Sequence, residues 1–378
     1  MSDSNNPAGL YIHIPFCKKK CIYCDFYSIN DFSFAQEFIV SLKNEINEIN
    51  SNFIFDTIYI GGGTPSVLNS NYISDLIETV YKKLSFSRDV EITIEVNPGT
   101  LNIQKLKDYK SFGINRINIG IQSFHNNNLK FLERIHSEDE AIASIEMAKK
   151  TGFENIGIDL IYGIPSQTLK EWEFDLKHAI EFNPNHISCY MLTFESGTML
   201  DNRRISGDIK PLEDSTLCDM FNFTIEFLKD NGYIHYEISN FAESETKKSK
   251  HNTKYWSFVP YIGLGPSAHS FNGKSRWWNI KSVYEYINMI NKGQKPIQEK
   301  ETLDREQSML EAIYLGLRVS EGINISYFND SFNMNFSVFF KNIIDNLEKK
   351  QLVSLDDNFC RLTQKGMLFL DSITGMFT

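Results

Sequence analysis

No stretch of the chain approaches the ~20 consecutive apolar residues that a bilayer-spanning helix needs. Residues 1–9 are small and polar, with no basic region leading into an apolar run. These absences predict a cytoplasmic protein without a transmembrane segment. Basic residues are the scarcer sign: 38 Lys and Arg stand against 48 Asp and Glu, a net charge of −10. The basic stripe that tracks nucleic acid is missing, so no nucleic-acid partner is expected and an RNA-modifying role is disfavoured. Cysteine is sparse, six in 378 residues. In a cytoplasmic chain that argues for reduced thiols or metal ligation rather than disulfides. Internal repeats and long low-complexity segments are also absent. Core material is not short: 42% of residues are hydrophobic. The length exceeds that at which single cores stop growing, so two domains are expected.

Three of the cysteines are crowded together. Cys17, Cys21 and Cys24 form a C-x3-C-x2-C run with no fourth cysteine nearby. A closed structural zinc site takes four protein ligands, and a ferredoxin-type cluster takes four cysteines. Three thiolates leave one iron of a four-iron cluster open for chemistry or for an exchangeable ligand. A zinc site completed by His13 or a distant cysteine is the competing reading. Cys189, Cys218 and Cys360 are scattered and read as small apolar filler.

The first two-thirds of the chain alternates β-rich runs with amphipathic stretches. Strands are expected over Leu10–Ile14, Asp56–Ile60, Val90–Val96, Ile114–Ile121, Asn155–Ile161 and His186–Leu192. Helices are expected over Phe34–Ile49, Asn71–Leu84, Ser137–Lys150 and Leu169–Glu181. The alternation implies βαβ units and a parallel sheet. Thr64, Glu95, Gln122, Asp159 and Tyr190 fall at or just past strand ends, where barrel folds place active sites. Parity agrees: Glu91, Thr93 and Glu95 share one face of their strand, and Ile92 and Ile94 the other. The fold class is therefore α/β, a partial (βα)6 TIM-like barrel over residues 1–240. A smaller α+β, helix-rich domain over 241–378 is expected to follow. Residues 243–250 are polar and read as a loop. Gln351–Leu355 and Phe359–Leu362 flank Asp356-Asp357-Asn358 as a hairpin, with Thr363 capping a last helix. That tail resembles a winged helix but lacks a strong basic face, so it reads as a packing module.

Gly61-Gly62-Gly63-Thr64-Pro65 follows the second strand. Glycines there turn successive N–H groups toward one point and let a ligand approach; a plain tight turn is the alternative. Combined with the cysteine spacing, the triple glycine resembles the radical S-adenosylmethionine superfamily. Tyr11-Ile-His-Ile-Pro, Glu95-Val-Asn97-Pro98-Gly99-Thr100, Gly120-Ile-Gln122-Ser123-Phe124, Asp159-Leu-Ile-Tyr162-Gly163-Ile-Pro165 and Tyr236-Glu-Ile-Ser239-Asn240-Phe241-Ala242 narrow the likeness. They are similar to the branch containing oxygen-independent coproporphyrinogen III oxidases and HemW-type haem chaperones.

The resemblance implies a [4Fe-4S] cluster on Cys17, Cys21 and Cys24, with S-adenosylmethionine on the open iron. It further implies that Tyr11, Tyr23, Gly62, Gly63, Thr64, Glu95, Gln122, Arg134 and Asp159 contact S-adenosylmethionine. Glu95 suits the ligand's ammonium, Arg134 its carboxylate, and Asp159 and Gln122 its hydroxyls and polar edges. Two departures separate the oxidases from this chain. They carry a further cysteine two residues after the third, where this sequence has Phe26, and a longer N-terminal extension than the 16 residues before Cys17. The chain has instead His251-Asn252-Thr253-Lys254-Tyr255-Trp256, similar to a signature of the HemW-type chaperones. The resemblance implicates His251 in haem binding, with Tyr255 and Trp256 covering a porphyrin face. His269 and Arg276-Trp277-Trp278 are further candidates for iron, propionates and ring, with packing as the competing reading. The implied function is a haem chaperone with haem as cargo and haem-accepting proteins, respiratory ones among them, as partners. A coproporphyrinogen III oxidase is the alternative. The oligomeric state is left open.

Overall fold

Six strands with one apolar face each build the first layer: β1 (Ala8–Ile14), β2 (Ile54–Gly62), β3 (Ser85–Val96), β4 (Arg116–Gln122), β5 (Ile156–Tyr162) and β6 (His186–Met191). A computed structural model, which describes residues 7–377, pairs them in parallel and in chain order. This is the expected partial barrel of six βα units. Ile58, Ile60, Ile92, Ile94, Ile117 and Ile119 are buried on the outer face. There they meet helices including Ala35–Glu48, Ser70–Lys83, Glu138–Lys150 and Leu169–Glu181. Ser137 and Thr168 start the last two of these helices with capping boxes, each satisfying orphan N–H groups at the first turn. The inner face carries Thr57, Thr93, Glu95, Asn118, Asp159 and Ser188.

The sheet does not end where the sequence pattern changes. Beyond β6 it adds β8 (Asn240–Ala242) and then β7 (Ile234–Glu237), both antiparallel. On the opposite side β9 (Tyr261–Leu264) runs parallel to β1. Then β10 (His269–Phe271), β11 (Ser275–Asn279) and β12 (Ile297–Thr302) continue antiparallel, for twelve strands among the described residues. The composition shift near residue 240 marks a reversal of strand direction, and the main sheet runs on to Thr302. A separate apolar cluster around Ile313, Phe336 and Ile344 then forms the helix-rich tail. Its small sheet contains β13 (Ile323–Asn324) and the expected hairpin, β14 (Val353–Leu355) with β15 (Phe359–Leu362). Thr363 Oγ1 accepts from Gly366 N at 3.0 Å, capping the short helix that follows. Among the described residues no helix is long and apolar enough to cross a membrane.

The polar segment 243–250 is the expected loop up to Ser249, with a 3-10 turn over Glu245–Lys247. Ser249 caps a helix over Lys250–Trp256, and that helix closes the end of the barrel where the strands begin. Lys254 Nζ lies 2.6 Å from Asp56 Oδ1 and donates to the Pro7 carbonyl at 2.6 Å. Glu91 Oε1 accepts from His251 N at 3.2 Å. The Lys254 and Asp56 side chains are only 10% and 8% exposed. Removing one partner of such a buried pair strands the other charge. Asp56→Ala is expected to lower unfolding stability by about 3 kcal/mol. It should also speed amide exchange across 250–256; urea unfolding and hydrogen exchange of the variant test both.

Candidate functional site

The wide end of the barrel is built first by the cysteine loop after β1. Cys17 N donates to Ile29 O at 2.9 Å, Ile29 N to Pro15 O at 2.7 Å, and Leu200 N to Ile22 O at 2.9 Å. The lysines between the cysteines also anchor the loop: Lys18 Nζ donates to Gly99 O at 3.1 Å, and Lys19 pairs with Glu133 at 2.9 Å. All three cysteines are half-buried and free. Burial pushes the Cys24 thiol up to about 11.

A continuous hydrogen-bonded girdle joins the loop to three strand ends. Cys17 Sγ lies 3.4 Å from Thr64 Oγ1, which accepts from Asn97 Nδ2 at 2.8 Å. Asn97 Oδ1 accepts from Arg134 Nη2 at 2.6 Å, and the same nitrogen donates to Gly120 O at 2.8 Å. Arg134 Nη1 closes the ring on Cys21 Sγ at 3.6 Å and Tyr23 OH at 3.4 Å. Arg134 is thus no solvated helix charge. Asn97, at the end of β3, is the member that sequence reasoning quoted within a motif but did not assign. Its position two residues beyond Glu95, on the same parity, is the signal that marks it.

The glycine run serves the chain itself first. A Cβ on Gly62, whose φ is +107°, would lie 2.6 Å from the His13 ring. One on Gly63 would lie 2.7 Å from the Phe16 carbonyl. The N–H groups of Gly62, Gly63 and Thr64 are donated to Glu95 Oε2, Ile14 O and Phe16 O. The expected nest of N–H groups is therefore spent on seating the cysteine loop. The bare backbone and its carbonyls remain for a ligand.

Acceptors line the lumen beneath. Glu95 takes bonds from Tyr59 OH at 2.7 Å and Gly62 N at 3.2 Å. Burial still pushes its carboxyl up to about 7. Asp159 Oδ2 accepts from Asn118 Nδ2 at 2.6 Å, and burial raises this group as well. Asp159 Oδ1, Gln122 Oε1 and Arg134 Nε are buried without a protein partner. Gln122 sits at a register shift with φ +71°, an unfavourable backbone for a residue with a Cβ, just where β4 opens into the mouth. Stranded acceptors and strain at one rim fit a polar ligand with donors of its own.

The histidines divide. His13 Nδ1 lies 3.0 Å from Tyr11 OH, and Nε2 lies 2.9 Å from Tyr27 O. Burial pushes the ring down to about 4. Both nitrogens are taken, which removes His13 as a zinc ligand. His251 is likewise occupied: Nδ1 is 2.7 Å from Thr57 Oγ1 and Nε2 is 2.8 Å from Tyr255 OH. It lies buried against Tyr59, ring centroids 5.1 Å apart, at the far end of the lumen from the cysteines. A cleft of about 1040 Å³ lies outside the barrel and is lined by residues including Glu45, Asn279 and Trp277. It contains no His, Cys, Met or Tyr and no part of the girdle.

Comparison with known proteins places this geometry. Residues 11–179 match the Radical SAM superfamily, and residues 303–369 match the HemN C-terminal domain. A protein of Bacillus subtilis named "Heme chaperone HemW" is 34% identical, over 97% of this chain and 98% of its own. The chain belongs to the HemW family. The Escherichia coli protein of the same name is 39% identical over 70% of both chains. Among solved structures, that of coproporphyrinogen III oxidase (HemN) from Escherichia coli, described as a radical SAM enzyme, superposes with a TM-score of 0.85. It is 25% identical, covering 99% of this chain and 90% of that one. The HemW family thus shares its fold with an oxidase, and the fold alone does not separate the two activities.

The buried Glu95 gives a pH test. Its carboxyl is raised from 4.5 to about 7 in the fold, so the neutral form is the one the fold favours. Its contribution to stability is full below about 4.5 and is lost as the pH rises through about 7. The ligand-free protein should therefore lose up to about 3 kcal/mol across that window. Glu95→Gln should remove that part of the slope. Thermal melts of both proteins between pH 4.5 and 7.5 measure the difference, and parallel curves would contradict it.

Proposed function

We propose that this protein is a haem chaperone: it binds haem and passes it to acceptor proteins, and it carries a [4Fe-4S] cluster with an exchangeable S-adenosylmethionine. The observation that carries this reading is the full-length likeness to relatives named heme chaperones, with Phe26 where the oxidases have their additional cysteine. Phe26 is 68% exposed beside the cysteine loop, so the position presents a ring and no thiol.

Cys17, Cys21 and Cys24 would hold three irons of the cluster, on a loop fixed by the girdle. An S-adenosylmethionine-bound cluster supplies one-electron reductive chemistry when present. Around that position Arg134 and Tyr23 face the sulfurs, and Arg134 suits the ligand's carboxylate. Glu95, raised while empty, would ionise against an ammonium, since an opposite charge at contact favours the charged form. Gly62, Gly63 and Thr64 would offer close backbone approach, and Tyr11 the lumen wall. The unpartnered oxygens of Gln122 and Asp159 would accept from hydroxyls or amino groups of the nucleoside. The helix Lys250–Trp256 keeps the opposite end of the lumen closed.

An oxidase reading keeps one observation in its favour, the HemN-like fold. Anaerobic reconstitution should give about four irons per chain, and Cys21→Ala should lose them. The reconstituted protein should bind hemin saturably and form no protoporphyrinogen from coproporphyrinogen III. Product formation would establish the oxidase instead, and failure to bind hemin would remove the chaperone.

A further inference from the structure

We propose that haem iron is ligated by His269, on the concave face of the sheet extension β9–β12, rather than by His251. This inference rests on the haem reading above and adds the place and the ligand.

An axial ligand needs an imidazole nitrogen with a free lone pair and room for a porphyrin. His251 has neither: both nitrogens are engaged by hydroxyls and its ring is fully buried. To reach an iron, the helix Lys250–Trp256 would have to leave the barrel and break the buried Lys254–Asp56 pair. His269 is the opposite case. It is exposed, and no described residue makes a hydrogen bond to its ring.

The register places His269 on the side of the sheet that forms the lumen. Tyr11 lies opposite Gly263 across β1 and β9. Tyr261, two residues from Gly263, pairs with Phe271 across β9 and β10, and His269, two residues from Phe271 on β10, projects to the same face. Contact is close: a Cβ on Gly263 would be 2.1 Å from the His269 carbonyl oxygen. Directly opposed residues project to one face, so His269 shares a face with Tyr11 and His13. The rings between them form a ladder. Tyr11 and Tyr59 neighbour His251, which meets Tyr255 edge-on; Tyr255 meets Tyr261 edge-on, and Tyr261 meets Phe271. His269 is the next residue on that face of β10, at the ladder's outer end.

Its surroundings suit a haem. Trp278, directly across the ladder on β11, stacks on the imidazole at 5.5 Å and 24°, fixing the ring plane and shielding one side. Neighbouring groups partly enclose the exposed ring and lower its basicity, and Arg276 and Lys281 lower it further, which favours the neutral imidazole that binds a metal. Arg276 is held by Glu301 and Glu311. Lys281 is exposed and has no acidic partner among the described residues, leaving its charge for a propionate. Lys281 and the Trp278 ring thus serve a flat dianionic macrocycle whose metal sits over His269. His251 becomes a positioning residue, acting through Tyr255 and Tyr261 on the wall beneath.

The full chain with its cluster reconstituted is titrated with hemin, following the Soret band and ferric electron paramagnetic resonance. His269→Ala should weaken binding about tenfold or more and change the ligand-field signature, and added imidazole should restore that signature. His269→Gln, which keeps polarity and size, should behave alike, and unchanged cluster absorbance shows both variants folded. His251→Asn should leave the signature of bound hemin as in the parent, whatever its affinity. If the parent binds no hemin, the haem reading itself falls. If the parent binds and both His269 variants keep its spectrum and affinity, the site is wrong and the haem reading stands. A lost signature that imidazole does not restore also overturns His269 as the ligand.

Discussion

The guanidinium of Arg134 holds the functional end of this molecule together. It reaches Asn97 and the Gly120 carbonyl with one nitrogen and Cys21 and Tyr23 with another. Through Asn97 and Thr64 it is tied to Cys17 as well. A buried guanidinium is expensive unless its donors are used, so this charge selects one arrangement of the loop, the ends of β2 to β4 and the segment after β4. The same girdle explains why the glycines of the second strand end must be glycines. The cysteine loop lies directly on them, and a side chain at either position would push it off. Thiols, girdle and stranded acceptors converge from four separate elements, and none is positioned without the others.

The six βα units were legible because their signal is local. Apolar runs of the right length alternate with amphipathic stretches, and the parity of Glu91, Thr93 and Glu95 against Ile92 and Ile94 states which face is which. The sheet extension was not legible for the converse reason. The strands β9 to β12 are three to six residues long, and β12 carries Glu299, Lys300 and Glu301, charges suited to a sheet edge. Nothing in such segments announces that β9 joins β1 in parallel across some 250 residues of chain, since that pairing is a tertiary contact. The glycine run shows another limit. Sequence gives its capacity to turn N–H groups toward a ligand; only the neighbours reveal that Ile14, Phe16 and Glu95 already accept them.

The residue types of the His251 segment suit a metal and a porphyrin, and the helix sets His251 and Lys254 in the floor of the barrel. Arg116 lies near, also fully buried, with Nε and Nη1 lacking protein partners. Burial alone would push that guanidinium down, and Glu91 and the surrounding tyrosines outweigh it and keep it protonated. The lumen is thus a column of charge from Lys254 and Asp56 at the floor to Arg134 at the mouth, walled by the polar faces of the strands, whose apolar faces pack outward under the helices. Polar groups in such a column interact strongly because little water screens them.

That column also bears on how one fold serves two reactions. The oxidase and this protein share the barrel fold. What differs lies at the rim. A thiol after the third cluster cysteine adds a reactive group; Phe26 adds an apolar surface, exposed and chemically inert. On the proposal above, His269 on the sheet extension would be the iron ligand, a group that a metal-free porphyrinogen could not use. Under the haem reading proposed above, an inert ring at this position suits a face that would retain a macrocycle rather than one that would oxidise its side chains.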